Sequence, residues 1–221
     1  MALDLDIALC TVEEVAVQLG LSLPLSVSVQ AIIEDLINAQ SSMAADYLGR
    51  DLGYKANIVE YVRGYPHKRI GLARYPIVLI TSIDDVPFAD TGAFIESDGK
   101  TGLVDASCCA GFCYTGCYYG LNGYPLQDTA SQKIKVIYSG GYCLPNQLVC
   151  HIDATPLPYS IRLAVASSAA LMYRSLGHDP AVKREELQSY AVEYFNGDTH
   201  KGGISPSAME ILAKYVCIPQ Y

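Results

Sequence analysis

Charge is scarce in this 221-residue chain: 17% of residues are Asp, Glu, Lys or Arg, against 51% apolar. So little charge implies that large areas of the surface are covered by partners. Long apolar runs are missing as well. None approaches the ~18 residues of a membrane-spanning helix. The opening Met-Ala-Leu-Asp-Leu-Asp has acids where a secretory signal carries Lys or Arg, so the expectation is a soluble protein made in the cytosol. Catalytic signatures are lacking too, with no Gly-x-Ser-x-Gly elbow, no Walker-type phosphate loop and no dinucleotide-binding glycine pattern. The four histidines, His67, His151, His178 and His200, fall in loop-like sequence, and Asp84-Asp85 and Glu185-Glu186 read as surface acids. Neither an enzyme nor a cofactor is expected.

Net charge is −8, and residues 1–60 carry −7 of it: nine acids against Arg50 and Lys55. An acidic surface does not grip phosphate backbones, which disfavours specific nucleic-acid binding. Two readings of that acidity stay open, a solvated helical face or a surface that DNA passes without sticking.

Helical period and caps define the first third. Thr11 and Glu14 have capping-box spacing, Val12, Val15, Ala16 and Leu19 line one face, and Gly20 stops the helix. Ser26 or Ser28 opens a longer helix with a stripe of Val29, Ile32, Ile33, Leu36, Ile37, Met43, Ala44, Tyr47 and Leu48, ending at Gly49. From residue 57 the period falls to two. Strands are predicted over 57–62, 70–73, 77–83, 94–96, 103–104 and 133–138. Gly140-Gly141-Tyr142 then forms a structural turn in which glycine supplies positive φ, and it is expected to release the chain toward a helix over 158–176. That helix has a small-residue inner face of Ile161, Ala164, Val165, Ser168, Ala169 and Met172, which would let another backbone come close. Residues 188–195 read as a strand or an extended arm, and Ser205-Pro206 caps a last helix through Tyr215.

Residues 105–131 contain no Lys, Arg or Glu and read as a long Cys/Tyr/Gly loop between two strands. Cys108, Cys109, Cys113 and Cys117 lack the two-residue gap usual in zinc sites, although Cys143, Cys150 and His151 could complete a site with them. Free thiols packed in an apolar loop are the expected state, with disulfides and a metal as alternatives. The tail around Tyr215, Val216, Ile218, Pro219 and Tyr221 is costly to leave in water. It either docks onto its own core or inserts into a neighbouring protein.

The order of these elements resembles the head–tail connector (neck adaptor, head completion) proteins of tailed bacteriophages. The resemblance rests on Thr11-Val-Glu-Glu-Val, on the second helix through Ala39 and Ala44 to Tyr47-Leu48-Gly49-Arg50, and on Ile70-Gly-Leu followed by Tyr75-Pro76-Ile77 and Ile83-Asp-Asp-Val86. Its strongest part is Val136-Ile-Tyr-Ser-Gly-Gly-Tyr142, with Leu157-Pro158 and an Ala-rich helix ending near Tyr173 after it. Residues 105–131 depart from the family, whose members have a tight turn there, and the Cys143–Pro156 connection is longer than usual. The resemblance implies one adaptor domain over residues 1–221: an N-terminal helix pair (1–56), a β-rich section (57–140), and C-terminal helices with a docking tail (157–221). The implied fold class is α+β, mainly α, a helical bundle with an inserted β-rich section assembling as a ring of about twelve copies. The implied function is a structural virion protein at the head–tail interface, assembled in the host cytoplasm. It would join the portal protein to the next neck, stopper or tail component and continue the DNA channel. Tyr215, Val216, Ile218, Pro219 and Tyr221 would dock on the portal, the β section would make subunit or tail-side contacts, and the acidic first 60 residues would line the channel. The alternative function is a small Cys-loop metal- or ligand-binding protein.

Overall fold

Capping chemistry starts both N-terminal helices where the side chains dictate. In the computed structural model, which describes residues 2–63, 69–90, 93–95, 100–106, 133–148, 150–176, 184–187, 190–193 and 204–216, α1 spans Val12–Leu19. Thr11 Oγ1 accepts from the Glu14 amide (3.2 Å), and Glu14 Oε2 accepts from the Thr11 amide (3.0 Å). The second helix, α2 (Val27–Leu48), is capped by Ser26, and both helices end on a left-handed glycine, Gly20 and Gly49. Helix α3 spans Tyr159–Ser175; α4, Pro206–Leu212, is capped by Ser205 and runs into a 3-10 turn at Ala213–Tyr215.

The described chain divides into two compact units. One contains the four helices and the antiparallel hairpin β8 (Arg184–Leu187) and β9 (Tyr190–Glu193). Its core is built from Val15 and Ala16 of α1, Ile33, Ile37, Ala44 and Leu48 of α2, Ile161, Ala164, Val165 and Ala169 of α3, and Ala208 and Leu212 of α4. The expected α2 stripe is displaced at its edges. Ile32 and Tyr47 are exposed, while Gln40 and Ser41 are buried. Ser41 is tolerated inside because its hydroxyl accepts from the Leu9 amide (3.0 Å), which ties the N-terminal segment to the helix.

The other unit is β. Strands β1 (Lys55–Arg63), β7 (Lys133–Gly140), β3 (Ile77–Ile83) and β4 (Val86–Pro87) form an antiparallel sheet in that order, and β2 (Arg69–Gly71), β6 (Leu103–Ala106) and β5 (Ala93–Ile95) form a second. Ile70, Leu72, Tyr75, Ile77, Ile80, Ile83, Val104, Ile134, Val136 and Tyr138 make its core. A bulge between Lys55 and Ile58 places Asn57 at φ 51°, a conformation Asn tolerates, with its amide held by Ser139 Oγ (3.2 Å). Asp84 and Asp85, both at positive φ, are the two central residues of the β3–β4 hairpin, as a type I′ turn requires.

One expectation needs correction. The mainly α weighting fails: helix and strand are roughly balanced in an α+β fold, and no ring is shown. α1 and α4 have only eight and seven residues, while β1 and β7 run longer than their apolar alternation suggested; of the two readings of residues 188–195, the strand is found, as β9 paired with β8. The small-residue face of α3 does let another backbone come close, that of the α4 cap in its own unit. Ala164, Ser168 and Ala169 are buried inside their own unit, where Ser168 Oγ meets Ser205 Oγ at 3.2 Å.

Candidate functional site

Gly140-Gly141-Tyr142 is built into a clasp rather than a free turn. A Cβ at Gly140 would lie 2.7 Å from the Arg74 carbonyl oxygen, and one at Gly141 would lie 2.7 Å from the Gly53 carbonyl carbon. Gly141 also sits at φ 109°, so glycine is required there for both space and conformation. Its amide donates to Pro76 O (2.8 Å); the Tyr142 amide donates to Leu52 O (2.7 Å), and Tyr142 O accepts from the Tyr54 amide (2.8 Å). The clasp therefore does not release the chain straight into α3. A disulfide-closed loop, Cys143 to Cys150, comes first.

Beneath the clasp lies a polar network. Tyr138 is fully buried in the β core; its hydroxyl donates to Glu60 Oε2 (2.6 Å) and accepts from the Arg74 amide (3.1 Å). Both Glu60 oxygens accept from the Ala73 amide (3.1 and 3.2 Å), and Arg74 Nη1 donates to Gly53 O (2.6 Å). Burial, then the bond to Glu60, pushes the Tyr138 phenol well above its ordinary value. Each of these contacts joins one strand or segment of the β unit to another, which is structural work.

The cysteine alternatives resolve in part. Cys143 and Cys150 are bonded to each other, so neither offers a thiolate to a metal, and His151 Nδ1 instead accepts from the Asp153 amide (3.2 Å). Among the described residues no group of three or more His, Cys, Asp or Glu could hold a metal ion. Cys10 is a buried thiol whose pKa is pushed up to about 12, by burial first and then by Glu14. Cys108, Cys109, Cys113 and Cys117 lie outside the described residues, as do His67, His178 and His200.

Of the docking tail, Tyr215 and Val216 are described, while Ile218, Pro219 and Tyr221 lie outside. The Tyr215 hydroxyl is 2.7 Å from Ser160 Oγ, which pins the end of the helical segment to the first turn of α3. Val216 follows in an extended conformation.

Exposed apolar side chains are spread over the described surface, and two groups of them stand together. On the outer face of the four-stranded sheet, Val59 (50% exposed), Tyr61 (60%) and Leu79 (53%) stand clear of the core, with Ile137 of β7 directly opposite Val59. In the helical unit a groove of about 250 Å³ runs between α1 and α3, lined by Glu13, Glu14, Val17 and Gln18 on one wall and Tyr159, Leu163 and Ala166 on the other. Arg162 donates to Glu14 beside it and lies 5.9 Å from the Tyr159 ring centroid, so of the two acids on that wall Glu14 is already paired. Neither surface was picked out from the sequence. The available signals were the unbroken apolar run Ile58-Val59 within β1 and the off-stripe Val17 in α1. Among the described residues no helix is long and apolar enough to cross a membrane. No protein-family model and no curated protein matches the chain.

Proposed function

We propose that this chain is a non-enzymatic structural adaptor of a virion neck, assembling with copies of itself and linking a portal protein to the next neck or tail component around a DNA channel. The reading rests on the order of elements that resembles the connector proteins. The observation that carries it furthest is the outer sheet face, where Val59, Tyr61 and Leu79 remain exposed. Leaving three large apolar side chains on one face costs solubility unless a protein covers them. The face belongs to subunit or tail-side contacts, and residues 215–221 to the portal. The acidic first 60 residues suit a channel wall, because like charge keeps DNA from adhering.

Native mass measurement and negative-stain imaging, with and without a portal protein, test the reading. A closed ring with an open centre is expected in at least one condition; a monomer in both overturns it. Truncation after Val216 keeps α4 and the Tyr215–Ser160 contact. It should abolish portal binding while leaving the helical circular dichroism intact, and unchanged binding would remove the tail from the portal contact.

A further inference from the structure

Among the described residues two apolar features are uncovered, and one suits the other. The first is the loop closed by the Cys143–Cys150 disulfide, which is braced from within. Leu144 is buried, its amide donates to Gln147 Oε1 (3.4 Å), and the Gln147 amide donates back to Leu144 O (3.1 Å). Asn146 Nδ2 donates to Cys10 O (2.9 Å), which fastens the loop to the segment ahead of α1. Leu148 follows these anchors directly and is 86% exposed; Ile152, two residues past the disulfide, is 94% exposed. A braced loop with a large apolar side chain held in water is pre-organised for a receiver, because little freedom remains to be lost on docking.

The second feature is the groove between α1 and α3. Val17 is 73% exposed and Tyr159 66%, so its lips are apolar and uncovered, with Leu163 and Ala166 between them. Its volume of about 250 Å³ lies below the ~300–1,000 Å³ of small-molecule pockets and suits one or two side chains. Charge decides which part of another copy can enter. Each copy carries −8 overall, nearly all of it in residues 1–60, so two copies repel across most approaches. Residues 136–152 contain no Asp, Glu, Lys or Arg, so the loop brings no like charge to Glu13 on the groove wall. From these observations we infer that the Cys143–Cys150 loop of one copy, led by Leu148, seats in the α1–α3 groove of a second copy. The contact joins two different surfaces, so every added copy still offers one of each and association runs head to tail. The inference deepens the adaptor reading, on which the choice of a second copy rests, by naming the residues of one subunit contact. One small contact is set against the freedom lost on association, so it is weak between two copies and strengthened where a chain of copies closes.

Two substitutions at exposed positions test it in the full-length protein: Leu148→Asp disables the loop and Val17→Asp the groove. Small-angle X-ray scattering gives the average mass at protein concentrations up to about 1 mM, where a weak contact is populated. The wild type is expected to grow beyond a dimer, and each variant alone to associate at least about tenfold more weakly. Mixed in equal amounts, the variants should form dimers and stop there, because Leu148→Asp keeps its groove and Val17→Asp keeps its loop. Val27→Asp, at the exposed start of α2, should behave as the wild type does. A benzophenone amino acid at position 148 gives a readout that needs no charged variant. Irradiated in a mixture of isotope-labelled and unlabelled protein, it should link between copies to residues 13–18 or 159–166. Association that survives either substitution overturns the inference, as do a mixture that stays monomeric and links that fall only elsewhere. A ring that forms with a portal protein and tolerates both substitutions also overturns it, while the adaptor reading stands. A wild type that is monomeric with and without the portal removes both.

Discussion

Replacing Tyr138 by phenylalanine removes one oxygen from the centre of the β unit and leaves its shape intact. The hydroxyl makes two contacts, donating to the Glu60 carboxylate at 2.6 Å and accepting from the Arg74 amide at 3.1 Å. Losing a hydrogen bond to a charged group costs about 1.5–3 kcal/mol, and the Arg74 amide loses its acceptor as well. Glu60 keeps the Ala73 amide, which limits the damage. A destabilisation of about 2–3 kcal/mol follows, or a Tm lowered by about 5–10 °C for a chain of this size. Urea titration followed by far-UV circular dichroism measures it. The pH dependence supplies a second, independent check. Burial and the bond to Glu60 raise the folded phenol above its unfolded value of about 10, so the contribution is fully present below that pH. As pH rises past it, the unfolded chain releases the proton that the folded chain retains, and wild-type stability falls. The Tyr138→Phe variant has no phenol proton to lose, so the gap between the two proteins narrows in alkali. A cost under about 0.5 kcal/mol, or a gap that stays constant between neutral and alkaline pH, would refute the view that this network braces the sheet.

Four further outcomes are expected. Gly141→Ala places a Cβ 2.7 Å from the Gly53 carbonyl carbon at a φ of 109°, and a loss above about 2 kcal/mol should appear in the same urea titration. Thr11→Ala removes the cap of α1 and should cost about 1 kcal/mol; Glu14→Ala should cost more, because that carboxylate also accepts from Arg162. Replacing Cys143 and Cys150 together with Ser opens an eight-residue ring, for which chain entropy gives a loss of about 2.5 kcal/mol; peptide mapping of the oxidised wild type should recover the two cysteines in one linked species. Cys10, buried and with its pKa pushed up to about 12, should resist iodoacetamide at pH 8 in the native protein and react once urea unfolds it.

Caps and period made the first two helices readable. Thr11 with Glu14, Gly20 and Gly49 stand where the sequence places them, and Ser26 is the cap of the two serines it offered, because a cap is a local bargain between adjacent residues. Strand β3 is equally local and falls at Ile77–Ile83 as expected. What sequence could not supply is pairing. Eight cysteines admit many partnerships, and only the fold brings Cys143 to Cys150. Asp84-Asp85 looked like surface acids, since nothing local announces that both adopt positive φ, that Asp84 accepts from the Lys135 amide (2.9 Å) and that Asp85 pairs with Lys135 (2.7 Å). Ser41 and Gln40 interrupt the apolar stripe of α2, yet both are buried. Their acceptance inside depends on distant groups, such as the Leu9 amide on Ser41, that helical periodicity does not see. The candidate surfaces were hidden for a related reason. Val17, Val59, Tyr61 and Leu79 are ordinary core residue types, and only their exposure singles them out.

The glycine clasp has one more implication. Gly53 and Tyr142 form a parallel bridge, with Leu52, Tyr54 and Tyr142 exchanging main-chain hydrogen bonds. The β unit therefore takes in its strand-forming chain and hands it back through the same doorway. A segment whose two ends are already fastened together behaves as a cassette. Its interior can lengthen, shorten or be exchanged at small loop-closure cost while the residues on either side of the clasp keep their spacing.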